Sequence, residues 1–128
     1  MLTPAQEFGF TSDQLQAITA QGFDLVDAGD LEGAGTVFSG LLALCPEEPA
    51  FHAALGSVLH QQGKLSEALA AYDAALALDD RTVLARVNRG ELRCKRGDLG
   101  GLEDLQAAAK TPSAVQGRAK ALVRLYSR

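Results

Sequence analysis

Few side chains in this 128-residue chain are suited to chemistry. They are two histidines eight residues apart, His52 and His60, two cysteines, Cys45 and Cys94, and Ser57 between the histidines. Two histidines without a third ligand do not make a metal site, because zinc takes three or four protein ligands. Cys45 and Cys94 are far apart and form no paired-ligand spacing, so free thiols of a reducing compartment are expected rather than a disulfide or a zinc site. Ser57 has no readable histidine–carboxylate arrangement. Cys94 lies between Arg93 and Lys95 and is expected to be somewhat acidic, but it has no partner base. Neither catalysis, a metal nor a cofactor is expected.

A second chemistry is suggested by the basic run Arg81, Arg86, Arg89, Arg93, Lys95 and Arg96. Cations of this density can bind nucleic acid, yet the pI is near 5.1 and no aromatic residues are interleaved for base stacking. Carboxylates at Asp79, Asp80, Glu103 and Asp104 are close enough in sequence to pair with the run. Intramolecular pairing, or contact with the acidic end of another subunit, is therefore expected, with no nucleic-acid partner.

The formal net charge of −4 conceals an asymmetry: no Lys or Arg precedes Lys64, whereas residues 81–128 are predominantly basic. Such a division can steer a partner or favour self-association, or it can be solvated helix faces alone. With 47% hydrophobic residues, mostly Ala and Leu, and 5% aromatics, the composition suits close-packed helices rather than a β-sandwich. No apolar window reaches the roughly 18 residues that a membrane span needs, and "MLTPAQEFGF" lacks the features of a signal peptide. A cytoplasmic protein without a membrane partner is expected.

The elements that must position these residues follow from a repeat. Gly22, Gly56 and Gly90 are each 34 residues apart, as are Gly29, Gly63 and Gly97, and Leu31, Leu65 and Leu99. A mid-helix glycine costs up to about 1 kcal/mol against Ala, so its recurrence predicts a neighbouring helix too close for a Cβ. Gly29, Gly63 and Gly97 fall where a helix ends and the chain needs positive φ. Leu65, Ala68, Leu69, Tyr72, Ala75 and Leu76 recur at steps of three and four, one wide apolar stripe that must be covered. Helices are predicted at about 13–28, 31–44, 49–62, 65–79, 83–96, 99–110 and 114–127, with Thr11 or Ser12 capping the first and Pro49 opening the third. Phe8 and Phe10 lack helical periodicity and are expected to staple the first helix or to pack on a second copy.

The period, with Leu55-Gly56, Leu59, Gly63, Ala68, Tyr72 and Ala75 in the middle unit and Gly22, Leu25, Gly29, Ala34, Phe38, Leu41 and Pro46 in the first, resembles the tetratricopeptide repeat. The third unit is degenerate. It has Arg86, Arg89 and Arg93 where bulky apolar residues are expected, and Gln106 where Phe38 and Tyr72 stand. The resemblance implies an all-α helix-turn-helix solenoid: an N-terminal segment 1–14, repeats at 15–48, 49–82 and 83–114, and a capping helix at 115–128 whose apolar face is Val115, Ala119, Leu122 and Tyr126. His52 falls where the repeat wants a bulky side chain between helices.

By the same resemblance the first helix of each repeat lines a groove that binds a peptide. The family's groove positions fall on Thr19, Phe23 and Val26, on Ala50, Ala53, Ala54, Ser57 and His60, and on Leu84, Val87, Asn88, Glu91 and Cys94. The cationic clamp by which some members grip acidic heat-shock tails is absent, since the matching positions are Thr19, Phe23, Ala54, Leu84 and Asn88. Length, order, Phe51 and the Gly90-Glu91 pair more closely resemble the class II chaperones of type III secretion, which keep translocator subunits soluble. A non-enzymatic module that binds a protein or peptide client is the resulting expectation. The alternative is a scaffold subunit that self-associates, as a homodimer for example, through oppositely charged ends.

Overall fold

The computed structural model describes residues 1–128 and is entirely helical. Its helices are α1 (Pro4–Glu7), α2 (Ser12–Asp27), α3 (Leu31–Leu44), α4 (Pro49–Gln61), α5 (Leu65–Leu78), α6 (Val83–Lys95), α7 (Gly100–Ala109) and α8 (Gln116–Tyr126). The fold is a tetratricopeptide-type helix-turn-helix solenoid. No helix is long and apolar enough to cross a membrane.

Local chemistry sets the boundaries. Thr11 and Gln14 form a reciprocal capping box at the start of α2, and Pro49 stands in the first turn of α4, where its missing N–H costs nothing. Gly29, Gly63 and Gly97 close α2, α4 and α6 with φ of +82°, +78° and +79°, a backbone that other L-residues adopt at a cost. The short helix α1 is not predicted by periodicity. It forms because Thr3 and Gln6 make a second capping box around Pro4.

Helices α2 to α8 each pack on the next, and α4, α6 and α8 also touch along one side. The cap α8 thus takes the place of the first helix of an unfinished fourth pair. Burial divides into three clusters spaced along the stack, as expected of an architecture in which each unit meets only its neighbours. Phe38 and Leu41 anchor the first with Ala54 and Val58, Tyr72 and Leu92 the second, and Val87 and Leu105 the third with Ala119.

The third pair departs from the period. Gly22 and Gly56 face the rings of Phe38 and Tyr72, and a Cβ on Gly56 would lie 2.6 Å from the Tyr72 ring. Gly90 instead faces Gly101, where a Cβ would lie 2.5 Å from the Gly90 carbonyl oxygen, so two backbones meet without a side chain between them. The buried row of α7 is Gly101, Asp104, Leu105 and Ala108, one residue earlier than the 34-residue spacing predicts. Leu99 is consequently 84% exposed despite its place in the leucine series. Gln106 is exposed too, and Leu105 fills the position expected of it.

The same shift buries a charge. Asp104, 4% exposed, accepts from Arg89 at 2.7 and 2.8 Å and from Arg93 at 3.2 Å, with Arg86 at 3.7 Å. Asp73 on α5 takes the remaining arm of Arg89 at 2.9 Å. The basic run is therefore paired within the chain, as expected, except at Arg96, and the carboxylates differ in part: Asp73, Glu91 and Asp98 take part, whereas the Asp80 and Glu103 carboxylates make no ion pair. Arg86 also donates to the Asp80 carbonyl and Arg81 pairs with Asp79.

A candidate protein-binding groove

Helices α4 and α6 run side by side, and between them opens a cleft of about 350 Å³ lined by Ser57, His60, Gln61, Tyr72, Leu84, Asn88, Glu91 and Arg118. Ser57, His60, Leu84, Asn88 and Glu91 are among the residues expected from sequence. Tyr72 reaches the cleft from α5 with its hydroxyl, which lies 3.3 Å from His60 Nδ1, while its ring stays fully buried. Burial pushes the Tyr72 phenol up to about 12, so the hydroxyl remains a neutral donor.

Arg118, with Gln61 and Tyr72, is a cleft residue that sequence reading missed. It projects from α8 onto the α6 side of the cleft, where Nη1 donates to Asn88 Oδ1 and Nη2 to Glu91 Oε2, both at 2.9 Å. Lys95 donates to the other Glu91 oxygen at 3.0 Å. Burial alone would raise the Glu91 carboxyl, but the hydrogen bonds from Lys95 and Arg118 outweigh it and hold the group below the ordinary value. His60 moves the opposite way in charge preference. Burial lowers its pKa, the charge of Glu91 acts against the shift, and Lys95 and Arg118 reinforce it, so the imidazole is neutral near pH 7.

The other expected groove residues divide by exposure. Phe23 is 51% exposed and meets Phe38 edge-on at 5.1 Å between ring centroids. Ala50 is exposed, and Thr19 and Val26 are half-buried on the same side of α2, where the Thr19 hydroxyl donates to the Leu15 carbonyl at 2.8 Å. Ala54 is 7% exposed and Ala53 3%, flush with the packed interior. Val87 does not line the groove: it is fully buried beneath α8 against Leu105, Ala108 and Ala119. Cys94 is half-buried beside that same cluster. Its thiol is raised rather than acidic, first by burial and then by the charges of Asp104 and Asp98. Cys45 is raised as well, by burial and by Glu48.

His52 is half-buried, with Nε2 2.8 Å from the Pro46 carbonyl oxygen, and so ties α4 to the turn before it. A larger hollow of about 460 Å³ lies between residues 1–4 and 45–48 and contains none of the expected groove positions. The groove offers half-exposed apolar side chains at Phe23 and Leu84, small residues between them, and hydrogen-bonding groups at Ser57, His60, Tyr72 and Asn88.

The tetratricopeptide repeat profile matches residues 19–82, which is 64 of the 128 residues. No curated protein matches the sequence. Among solved structures, the chain is similar to the type III secretion translocator chaperone SycD of Yersinia enterocolitica, with 21% identity over 98% of each chain and a TM-score of 0.88. It is similar to PcrH in complex with the chaperone binding region of PopD, with 25% identity over 93% of this chain and 95% of that one and a TM-score of 0.81. SycD in an alternative dimer matches with 21% identity over 91% and 94% of the two chains and a TM-score of 0.81.

Proposed function

Because the chain belongs to the tetratricopeptide repeat family, we propose that it is a non-enzymatic chaperone that shields an extended segment of a client protein in its groove. In this reading residues 15–48, 49–82 and 83–114 are the repeats, 1–14 an N-terminal segment and 115–128 the cap. The likeness to SycD, a type III secretion translocator chaperone, and to PcrH bound to the chaperone binding region of PopD favours a type III secretion translocator as the client, kept soluble in the cytoplasm before export.

One observation carries the reading. Leu84 is left 45% exposed at the rim of a cleft whose other walls are hydrogen-bonding side chains, and Phe23 is half-exposed on the first helix of the row. Apolar anchors with polar groups between them suit an extended peptide, whose alternate side chains enter pockets while its backbone finds partners. An acidic tail suits the groove poorly, because Arg118, the cation that enters the cleft, is already paired with Glu91 and Asn88.

A photo-crosslinking residue placed at Ser57, compared with one at the exposed Ala107 of α7, tests the proposal in the cells that make the protein. Crosslinks from position 57 to one segment of one protein, absent at 107, support it. Equal crosslinking at both positions, or crosslinks from 57 only to the chain's own α8, would refute it.

A further inference from the structure

After the pairing described above, most of the charge asymmetry remains unneutralised at the two ends of the stack. No ion pair involves any residue before Asp73. On α2 the exposed residues Asp13, Ala17, Ala20, Asp24 and Asp27 form one strip, roughly a quarter of the circumference wide at 3.6 residues per turn, opposite the packed Leu15, Ile18 and Gly22. On α8 the exposed residues Gly117, Lys120, Ala121 and Arg124 follow a strip of similar width, opposite the packed Ala119, Leu122 and Tyr126, and Arg128 lies just beyond the end of the helix. Helix α8 contains no carboxylate, and Lys120, Arg124 and Arg128 have no partner within the chain.

We infer that the outer strip of α8 docks on the outer strip of α2 of a second copy, so that chains associate head to tail. Each strip has its charges around small residues, Ala17 and Ala20 on one and Gly117 and Ala121 on the other, so two helices can approach closely enough for Asp24 and Asp27 to meet Lys120 and Arg124. A Cβ at Gly117 would touch nothing in the chain, so that side of α8 is open. The contact is heterologous, with different patches on the two copies, and it leaves a free end on each, so assembly grows with concentration rather than stopping at a pair. It prolongs the row α4, α6, α8 into the next copy and leaves Phe23 and Leu84 uncovered.

Sedimentation velocity of the full chain over a concentration series, at about 20 mM and about 500 mM ionic strength, reads the association under weak and strong screening. Growing mass at low salt and monomers at high salt are expected. Lys120→Glu with Arg124→Glu, and separately Asp24→Lys with Asp27→Lys, should each weaken association by at least about tenfold, as loss and reversal of several exposed pairs implies. All four changes in one chain should restore it, with circular dichroism confirming that each variant is folded. Monomers at low salt, which would leave the strips to an acidic partner or an anionic surface, overturn the inference. So does association that ignores the α8 changes, or a fourfold variant that stays monomeric.

Discussion

Arg89 grips Asp104 with two parallel hydrogen bonds, Nε to Oδ2 at 2.8 Å and Nη2 to Oδ1 at 2.7 Å, in the interior between α6 and α7. The Asp104 side chain is 5% exposed and the Arg89 side chain 16%, so little water screens the pair. Bidentate geometry with Arg93 as a further donor offsets the desolvation of the charge.

Removing that carboxylate leaves Arg86 without an ion pair and Arg89 with the exposed Asp73 alone. Asp104→Ala is expected to cost about 3–5 kcal/mol, the range for breaking one side of a buried pair. Glu103→Ala, at an exposed neighbour with no ion pair, should change stability by less than about 0.5 kcal/mol. Urea denaturation monitored by circular dichroism measures both.

The glycines at helix crossings should rank by what a new Cβ meets. At Gly101 it would meet backbone, the Gly90 carbonyl oxygen at 2.5 Å and the Cys94 nitrogen at 2.7 Å, which move only if the helices separate. At Gly56 it would meet the buried Tyr72 ring. Gly101→Ala is therefore expected to destabilise more than Gly56→Ala, with the latter near the about 1–3 kcal/mol of an overpacked core. Equal denaturation midpoints for the two variants would contradict the direct backbone approach at the third pair.

Much of this architecture was legible in the sequence, because the repeated glycines are direct consequences of close helix crossings and positive-φ turns. Gly22, Gly56, Gly29 and Gly63 all serve as the period predicts. Gly101 broke the prediction: with two glycines facing, α7 comes in nearer than a ring allows and turns its buried row by one residue, and a fixed period contains no signal for that. Arg118 was missed because its partner Asn88 lies 30 residues away, and the helix containing it could be read only for its apolar face. Val87 was misplaced for a related reason, since α8 covers the surface that a further repeat would leave open. In α1 the signal was present as Thr3 and Gln6, but four residues show no periodicity.

Acidification should loosen the cleft in two stages. A histidine whose pKa is lowered on folding binds fewer protons in the native state than in the unfolded one. Its contribution is complete above the ordinary value of 6.5 and falls as pH drops below it. Glu91, also lowered, contributes above its ordinary value of 4.5 and loses that contribution as pH falls through its depressed native value. The denaturation midpoint should therefore decline below about pH 6.5 and again below about pH 4.5, the unperturbed values of the two groups. His60→Gln should remove the first decline and Glu91→Gln should diminish the second.

The central claim is that an open groove holds a foreign chain while the helix backs hold the fold. The most direct measurement is titration calorimetry of the client segment identified by crosslinking, against the wild type, Phe23→Ala, Leu84→Ala and Val87→Ala, with denaturation midpoints for the same four proteins. Phe23→Ala and Leu84→Ala should each weaken binding by about 1–2 kcal/mol, as expected of interface anchors, with Leu84→Ala leaving the midpoint nearly unchanged. Val87→Ala should lower the midpoint by about 1–2 kcal/mol of stability and leave the affinity of the folded protein near that of the wild type. Equal losses of binding and folding across all three variants would contradict the account.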